Sequence, residues 1–396
     1  MRKRQLAILL GIMVSVGMCG CTGQTAETTE TVTETSDEAE QTEEVEESDV
    51  SEESEEAEDT FEEEDVSSKK ADATYLTKDD ITINETYENS ADGEHAILAD
   101  GTEDSYESIG VEKTGEASGD EADFYGENAS VFATNSATLT LHDIYVHSNG
   151  AHANGVFSYG EGTTVNISDS VIETEGNCSG GLMTTGGGTM NADNLTIYTT
   201  GNSSAAIRSD RGGGTVNVNG GSYTTDGTGS PVVYSTAEIT VENAYMESTA
   251  SQGIVVEGKN SVTLNDCELV ADNNKKNSDK SEWYQAVMIY QSMSGDADDG
   301  TSSFTMKGGT LTNKNGDILF VNNTACEITL EEAEIVNEDA DGVLLRAAAA
   351  GWGSEGSNGG KVNMYIKNSS LTGDCVVDSV STLNLYISNN ATYEGA

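Results

Sequence analysis

The sequence predicts an all-β solenoid of short strands stacked coil on coil, and three observations carry that prediction. The first is a turn column across residues 131–392. Asp143, Asp169, Asn194, Gly220, Asn243, Asp266, Gly308, Glu332, Asn368 and Asn389 recur at matching points of a repeat. Nine of the ten are Asp, Asn or Gly, the types that tolerate a left-handed backbone. The second observation is a pair of apolar columns around it. Two residues before each turn stand Leu141, Ile167, Ala192, Val218, Val241, Leu264, Met306, Leu330, Ile366 and Ile387. Three residues after it stand Val146, Ile172, Ile197, Tyr223, Met246, Leu269, Leu311, Ile335 and Leu371, with only Thr392 departing. The third is an upstream apolar column: Phe132, Phe157, Met183, Ile207, Val233, Val255, Met288, Leu319, Leu344 and Val377. The unit is therefore three short strands, repeated at roughly 22–26 residues with a few longer insertions, about ten coils in all. Two-residue alternation flanked by Gly, Asn, Asp and Ser excludes the helical half-repeat of a leucine-rich array.

Stacked parallel coils with turn ladders resemble the right-handed parallel β-helix of pectate-lyase-like proteins, over about residues 96–396. The resemblance rests on the strand and turn columns rather than on any catalytic signature.

The chain begins with Arg2, Lys3 and Arg4, then an apolar run over 6–16, too short to span a bilayer comfortably. Met18-Cys19-Gly20-Cys21 follows. A cysteine after a small residue and a short apolar core resembles a bacterial lipoprotein signal. That resemblance implies a signal over 1–21, lipidation at Cys21 and anchoring at the extracellular face of the cell membrane. A plain secretion signal is the alternative.

Residues 22–70 read as an acidic tether. Positions 26–65 hold 21 acidic side chains and no basic one, so this stretch repels itself and buries no core. The whole chain has 70 acidic and 18 basic residues. Setting aside those 21 acids and the five bases before residue 71 leaves 49 against 13, about −36. Such a surface disfavours nucleic acid, whose phosphates need Lys and Arg clusters. It also repels polyanionic glycans unless a cation bridges them.

Residues 71–128 read as an N-terminal cap and a first incomplete coil, with Ile81 and Ile83 alternating in a short strand, coil segments at 96–98 and 108–111, and a polar loop over 115–126. Residues 129–396 are the repeats. The sequence stops soon after a strand, which leaves an apolar coil end to be covered by further chain or by a partner.

Cys178, Cys267, Cys326 and Cys375 fall at different points of their repeats, which suggests small buried thiols rather than a disulfide framework. His142, His147 and His152 surround one turn, but strand geometry does not put them on one face, so no shared metal site is expected.

Residues 205–214 hold Arg208, Asp210 and Arg211 ahead of three glycines, two of the three arginines in the repeats. Apolar residues such as Val156 also precede the members of the upstream column, so either of the two columns could face inward. Taking the Phe132-to-Val377 column as inward, with Ile207, alternation turns Arg208 outward beside Tyr234 of the next coil. Such a pair is a platform for a sugar or carboxylate. Pectate-lyase-like enzymes use an arginine as base and aspartates to hold Ca²⁺, so the resemblance makes Arg208, Asp210 and Arg211 the candidate catalytic residues. The plain alternative is that they staple a turn in an acidic domain. Residues 337–342 match half an EF-hand loop, but Ala348 occupies its twelfth position. Asp339 and Asp341, and Asp296 and Asp298, are then weak Ca²⁺ candidates; no other cofactor is expected. Insertions at 273–284, 291–303 and 347–360 carry the two tryptophans, Trp283 and Trp352, which either stack on sugars or cap the coil side. The last two insertions follow the same strand of their coils and should lie together. An ice-binding face would need ranked threonine columns, which the sequence does not display.

These readings converge on a surface-anchored extracellular lipoprotein whose β-helix binds polysaccharide or acts as an adhesive surface. A polysaccharide lyase or glycoside hydrolase on the same fold is the alternative, and a structural surface protein without a glycan ligand is another.

Overall fold

A computed structural model describes residues 74–396; the expected signal over 1–21 and the tether over 22–70 lie outside the described residues. The chain forms a right-handed parallel β-helix. A seventeen-stranded sheet and an eleven-stranded sheet run its length, and a two-stranded pair closes the last coils. In each coil a short strand of the eleven-stranded sheet, such as Val156–Tyr159, leads into a strand of the long sheet, such as Thr164–Thr174. The long sheet bends at the turn column into two arms, so the cross-section has three sides.

The turn column makes that bend. All ten of its residues have positive φ, from 47° at Asp169 to 69° at Gly220. Ser108, at 55°, opens the column one coil earlier. Asn and Asp also bond along the stack: Asn194 Nδ2 donates to Asp169 Oδ1 at 2.6 Å. Glu332 adopts the same backbone at 53°, against a preference of roughly 1–2 kcal/mol.

Both flanking apolar columns fill the interior. Leu141 to Ile366 and Val146 to Leu311 belong to one continuous core. At the end of the stack Ile387 is 47% exposed.

A second corner goes beyond the columns. The hydroxyls of Ser148, Thr174, Thr199 and Thr225 are buried and donate to backbone carbonyls five residues on, at 2.5–2.7 Å. Gly150, Gly176, Gly201 and Gly227 stack beside them. A Cβ on Gly201 would lie 1.9 Å from Gly176 O, so this column admits only glycine. The corner motif reads Gly-Asn-Cys-Ser at 176–179 and Gly-Asn-Ser-Ser at 201–204.

The upstream column needs correction. The strand register aligns Phe132, Phe157, Met183, Arg208, Tyr234, Val255, Met288, Phe320 and Arg346. Val131, Val156, Leu182, Ile207, Val233, Ile254, Val287, Leu319 and Leu345, one residue earlier, face the core. The expected inward column thus mixed two faces: Ile207, Val233 and Leu319 point in, whereas Phe132, Phe157, Met183, Val255 and Met288 point out. Those outward residues are buried as well, in clusters of their own. Strands covered on both faces carry consecutive apolar residues, and this hides the direction of each.

The N-terminal segment also differs from expectation. The strand is Glu85–Asn89, paired with the second arm of Glu103–Lys113, rather than 81–83. Ile81 instead packs against Tyr145 and Val171 on that arm's outer side, and Ile83 is exposed. The loop over 115–126 contains a short helix, Asp120–Phe124, whose Asp123 and Phe124 are buried.

Candidate functional site

Two regions of the outer surface gather chemistry. One is covered and charged; the other is open and polar.

The covered region lies on the outer face of the eleven-stranded sheet. Arg208 and Tyr234 are register partners, so the anticipated adjacency is present. The side chains are nonetheless buried, Arg208 at 3% and Tyr234 at 8% exposure, so they form no solvent-facing platform. Arg208 Nη2 donates to Asp210 Oδ2 at 2.8 Å, and Arg211 N donates to Asp210 Oδ1 at 3.0 Å. Burial pushes the Asp210 carboxyl up to about 6, against the attraction of Arg208. Tyr234 Oη donates to Glu257 Oε2, and Tyr290 Oη donates to the same oxygen at 3.0 Å. Ser292 Oγ donates to Glu257 Oε1. Burial raises the Glu257 carboxyl above the usual range while these donors pull it back.

Two distant segments make the cover. Arg211 Nε donates to Asp296 Oδ1 at 2.8 Å and Nη1 to Asp120 Oδ2 at 2.9 Å; its guanidinium lies 3.7 Å from the Phe124 ring centre. It therefore joins the short helix to the loop over 291–303. A cavity lined by Phe124, Ser203, Arg208, Asp210, Tyr234 and Asp296 gives a water centre about 20 Å³, room for about one water.

The tryptophans lie on the same sheet farther along. Trp352 is buried edge-on against Tyr290, the last residue of the strand that precedes the loop over 291–303, with centroids 5.2 Å apart. Trp283 is half-buried, 5.6 Å from Phe320, with the Arg346 guanidinium 4.8 Å from its ring centre.

The acidic loops do not converge. Asp339 accepts from Gly316 N at 2.7 Å and Asp341 N at 3.0 Å, which caps a turn and holds its carboxyl below the usual range. Asp341 is exposed. Asp298 pairs with Lys259 at 2.7 Å, while Asp296 is held by Arg211 and Ser294. The three histidines separate as expected. His142 meets Ser168, His147 meets Glu112 and Glu175, and His152 is buried beside Asp123. Cys178, Cys267 and Cys326 are buried and Cys375 is half-buried, without disulfides among the described residues.

The open region lies on the first arm of the long sheet, where every second residue points outward. One outward column runs Thr140, Asn166, Asn191, Asn217, Thr240, Thr263, Thr305, Thr329, Tyr365, Tyr386. Its neighbour two residues earlier contains Thr138, Thr164, Thr189 and Thr215. Ranked threonines therefore exist, contrary to the sequence reading. The two ranks sit over different coils, however. Asn166, Asn191 and Asn217 stand beside the Thr138–Thr215 rank, and Glu238, Ser261, Ser303 and Glu327 beside the Thr240–Thr329 rank.

Within this face is a groove of about 410 Å³ lined by Asn166, Asn191, Asn217, Asp193, Asn219 and Glu242 among others. Asn191 Nδ2 donates to Asn166 Oδ1 at 2.9 Å, and Asn217 Nδ2 to Asn191 Oδ1 at 3.0 Å. Asn219 Nδ2 donates to Asp193 Oδ1 at 2.7 Å. An amide in such a ladder uses one N–H and one lone pair on its neighbours and keeps others for solvent or ligand. Farther along the column Tyr365 and Tyr386 stack 4.8 Å apart at 13°, with Tyr386 48% exposed. The columns became visible only through the register, because insertions vary their spacing along the chain. No family model, no curated protein and no solved structure matches the chain.

Proposed function

We propose that the protein is a surface-anchored, polysaccharide-binding β-helix, and that the groove on the first arm is its binding face. The observation that carries this reading is the amide ladder Asn166–Asn191–Asn217 inside an open groove of about 410 Å³. Strands about 4.8 Å apart present donors and acceptors at regular intervals, as a repeating, hydroxyl-rich chain requires. The exposed ring face of the Tyr365–Tyr386 stack offers a second, apolar contact in the same column. Asp193, Glu242 and the overall acidity favour a neutral glycan over a polyanionic one. In this reading the pectate-lyase-like resemblance extends to the fold alone. The segment over 1–21 is the lipoprotein signal, Cys21 carries the lipid, and the acidic tether holds the β-helix off the membrane. Asp339, Asp341 and Asp298 remain Ca²⁺ candidates only as carboxylates at or near the surface, and Asp296 is buried; the partners of the four are backbone amides, Ser294, Lys259 and Arg211.

The lyase or hydrolase reading rests on the Arg208–Asp210–Glu257 cluster, and the cavity beside Arg208 and Asp210 has room for about one water. Sugar entry there requires the loop over 291–303 to lift.

The test is retention of the purified chain on neutral and uronic-acid polysaccharides, with Ca²⁺ and with chelator, while new chain ends are scored. Retention on a neutral glycan, insensitive to chelator and weakened at least tenfold in the Asn191→Ala, Asn217→Ala double variant, is the expected result. Retention untouched by those substitutions, or no retention on any glycan, would refute the groove assignment. New chain ends lost in Arg208→Ala would establish the enzyme instead.

A further inference from the structure

We propose that Asp123, His152 and Cys178 form a zinc site that fastens the short helix to two successive coils. One carboxylate oxygen, one imidazole nitrogen and one sulfur lie within 4.8 Å of one another, and all three residues are buried. Among the described residues no other group of three or more His, Cys, Asp and Glu closes in this way. His152 Nδ1 and Asp123 Oδ1 lie 2.9 Å apart without the alignment of a hydrogen bond, and neither bonds elsewhere among the described residues. Two buried polar atoms with only each other for a partner need either a proton on the imidazole, which makes them an ion pair, or a shared cation.

The residue types at this corner point the same way. His152, Cys178, Ser203 and Gly229 occupy the same position of the corner motif in four consecutive coils, with φ of 58°, 56°, 55° and 66°. That backbone suits glycine, and Gly229 supplies it one coil beyond Ser203. Histidine and cysteine take the position where their side chains meet Asp123 of the helix Asp120–Phe124.

The donor set selects the metal. A thiolate and an imidazole exclude Ca²⁺ and Mg²⁺, which take oxygen ligands, and suit Zn²⁺. A Cys, His, Asp set is a zinc set, with the fourth tetrahedral position left to a small donor such as water. Two residues that line the water-sized cavity are neighbours of the ligands: Phe124 follows Asp123, and Ser203 is the next residue of the Cys178 column. Binding releases the Cys178 thiol proton, and two anionic ligands neutralise the dication. The site is independent of the glycan groove.

The experiment strips the purified full chain with chelator and titrates it with Co²⁺, then with Zn²⁺. One equivalent of Co²⁺ should produce a thiolate-to-cobalt charge-transfer band and intense tetrahedral d–d bands, and one equivalent of Zn²⁺ should abolish them. Zinc should also raise the melting temperature. Cys178→Ser should remove the charge-transfer band and weaken cobalt binding at least tenfold; Asp123→Asn should weaken it while keeping the band. Circular dichroism reports whether each variant folds, and the wild-type titration stands without them. Wild-type protein that binds neither ion, or binds Co²⁺ without a thiolate band, would overturn the site. So would a Cys178→Ser variant with an unchanged cobalt spectrum.

Discussion

Asp210 is a carboxyl group held almost entirely away from water. Its carboxyl is buried against Arg208 and stands at about 6, against 3.8 unperturbed. The folded chain therefore keeps this proton where the unfolded chain has lost it. The sign follows from linkage: the contribution to stability is full below about pH 4 and is lost as pH rises through about 6, roughly 3 kcal/mol across the window. Glu257, also raised by burial, acts in the same direction. Asp210→Asn should thus flatten the dependence of melting temperature on pH between about 4 and 6.5. It should also lower stability at neutral pH by about 3–5 kcal/mol, because Arg208 loses its buried counter-charge. Thermal melts of both proteins across that range decide the matter; parallel curves would show that Asp210 does not hold the proton. The Arg208–Tyr234 adjacency was legible in the sequence, since alternation and one repeat length suffice to place two side chains together. Their burial was not, since the residues that cover them stand at 120–124 and 291–303, far away along the chain.

At the scale of the element, the covering pieces have little regularity of their own. The helix Asp120–Phe124 is five residues long, too short to display a helical period or to hold itself together. It survives by its contacts. Thr185 Oγ1 donates to Phe124 O at 2.7 Å, Arg211 pairs with Asp120, and Asp123 meets His152. The turn column was legible because each coil must bend at the same place, and only a few residue types accept that backbone. The apolar columns beside it were legible because one face is wet. The eleven-stranded sheet was ambiguous because both faces are dry: Val156 and Phe157 are each fully buried. Arg211 links two covers, so Arg211→Ala should loosen both. Its side chain is 27% exposed, which tempers the loss to about 1–2 kcal/mol. Hydrogen exchange should accelerate at 120–124 and 294–298 and stay unchanged in the core strands. Uniform acceleration along the coils would instead make Arg211 a determinant of global stability.

For the whole molecule, stability is a sum of coil-to-coil interfaces rather than one globular core. Each interface brings like charges close, because equivalent outward positions stack about 4.8 Å apart. Some are relieved locally. Lys367 faces Glu331 at 3.7 Å, and Asn219 separates Asp193 from Glu242 in their column. The remainder is uncompensated, since residues 71–396 hold 49 acidic and 13 basic side chains. This repulsion grows with the number of stacked coils and acts through solvent, whereas the apolar core is shielded from salt. Raising NaCl from about 0.01 to about 1 M shortens the screening length from about 30 to about 3 Å, below the strand spacing. The melting temperature of the β-helix should therefore rise continuously over that range, and most steeply at the low end. A neutral osmolyte of equal concentration should leave out that initial rise. Chloride is weakly excluded from protein surfaces, so the comparison with the osmolyte separates screening from general exclusion. A melting temperature indifferent to salt below about 0.1 M would mean that the carboxylates already hold bound cations, and the acidic loops would then regain interest as Ca²⁺ sites.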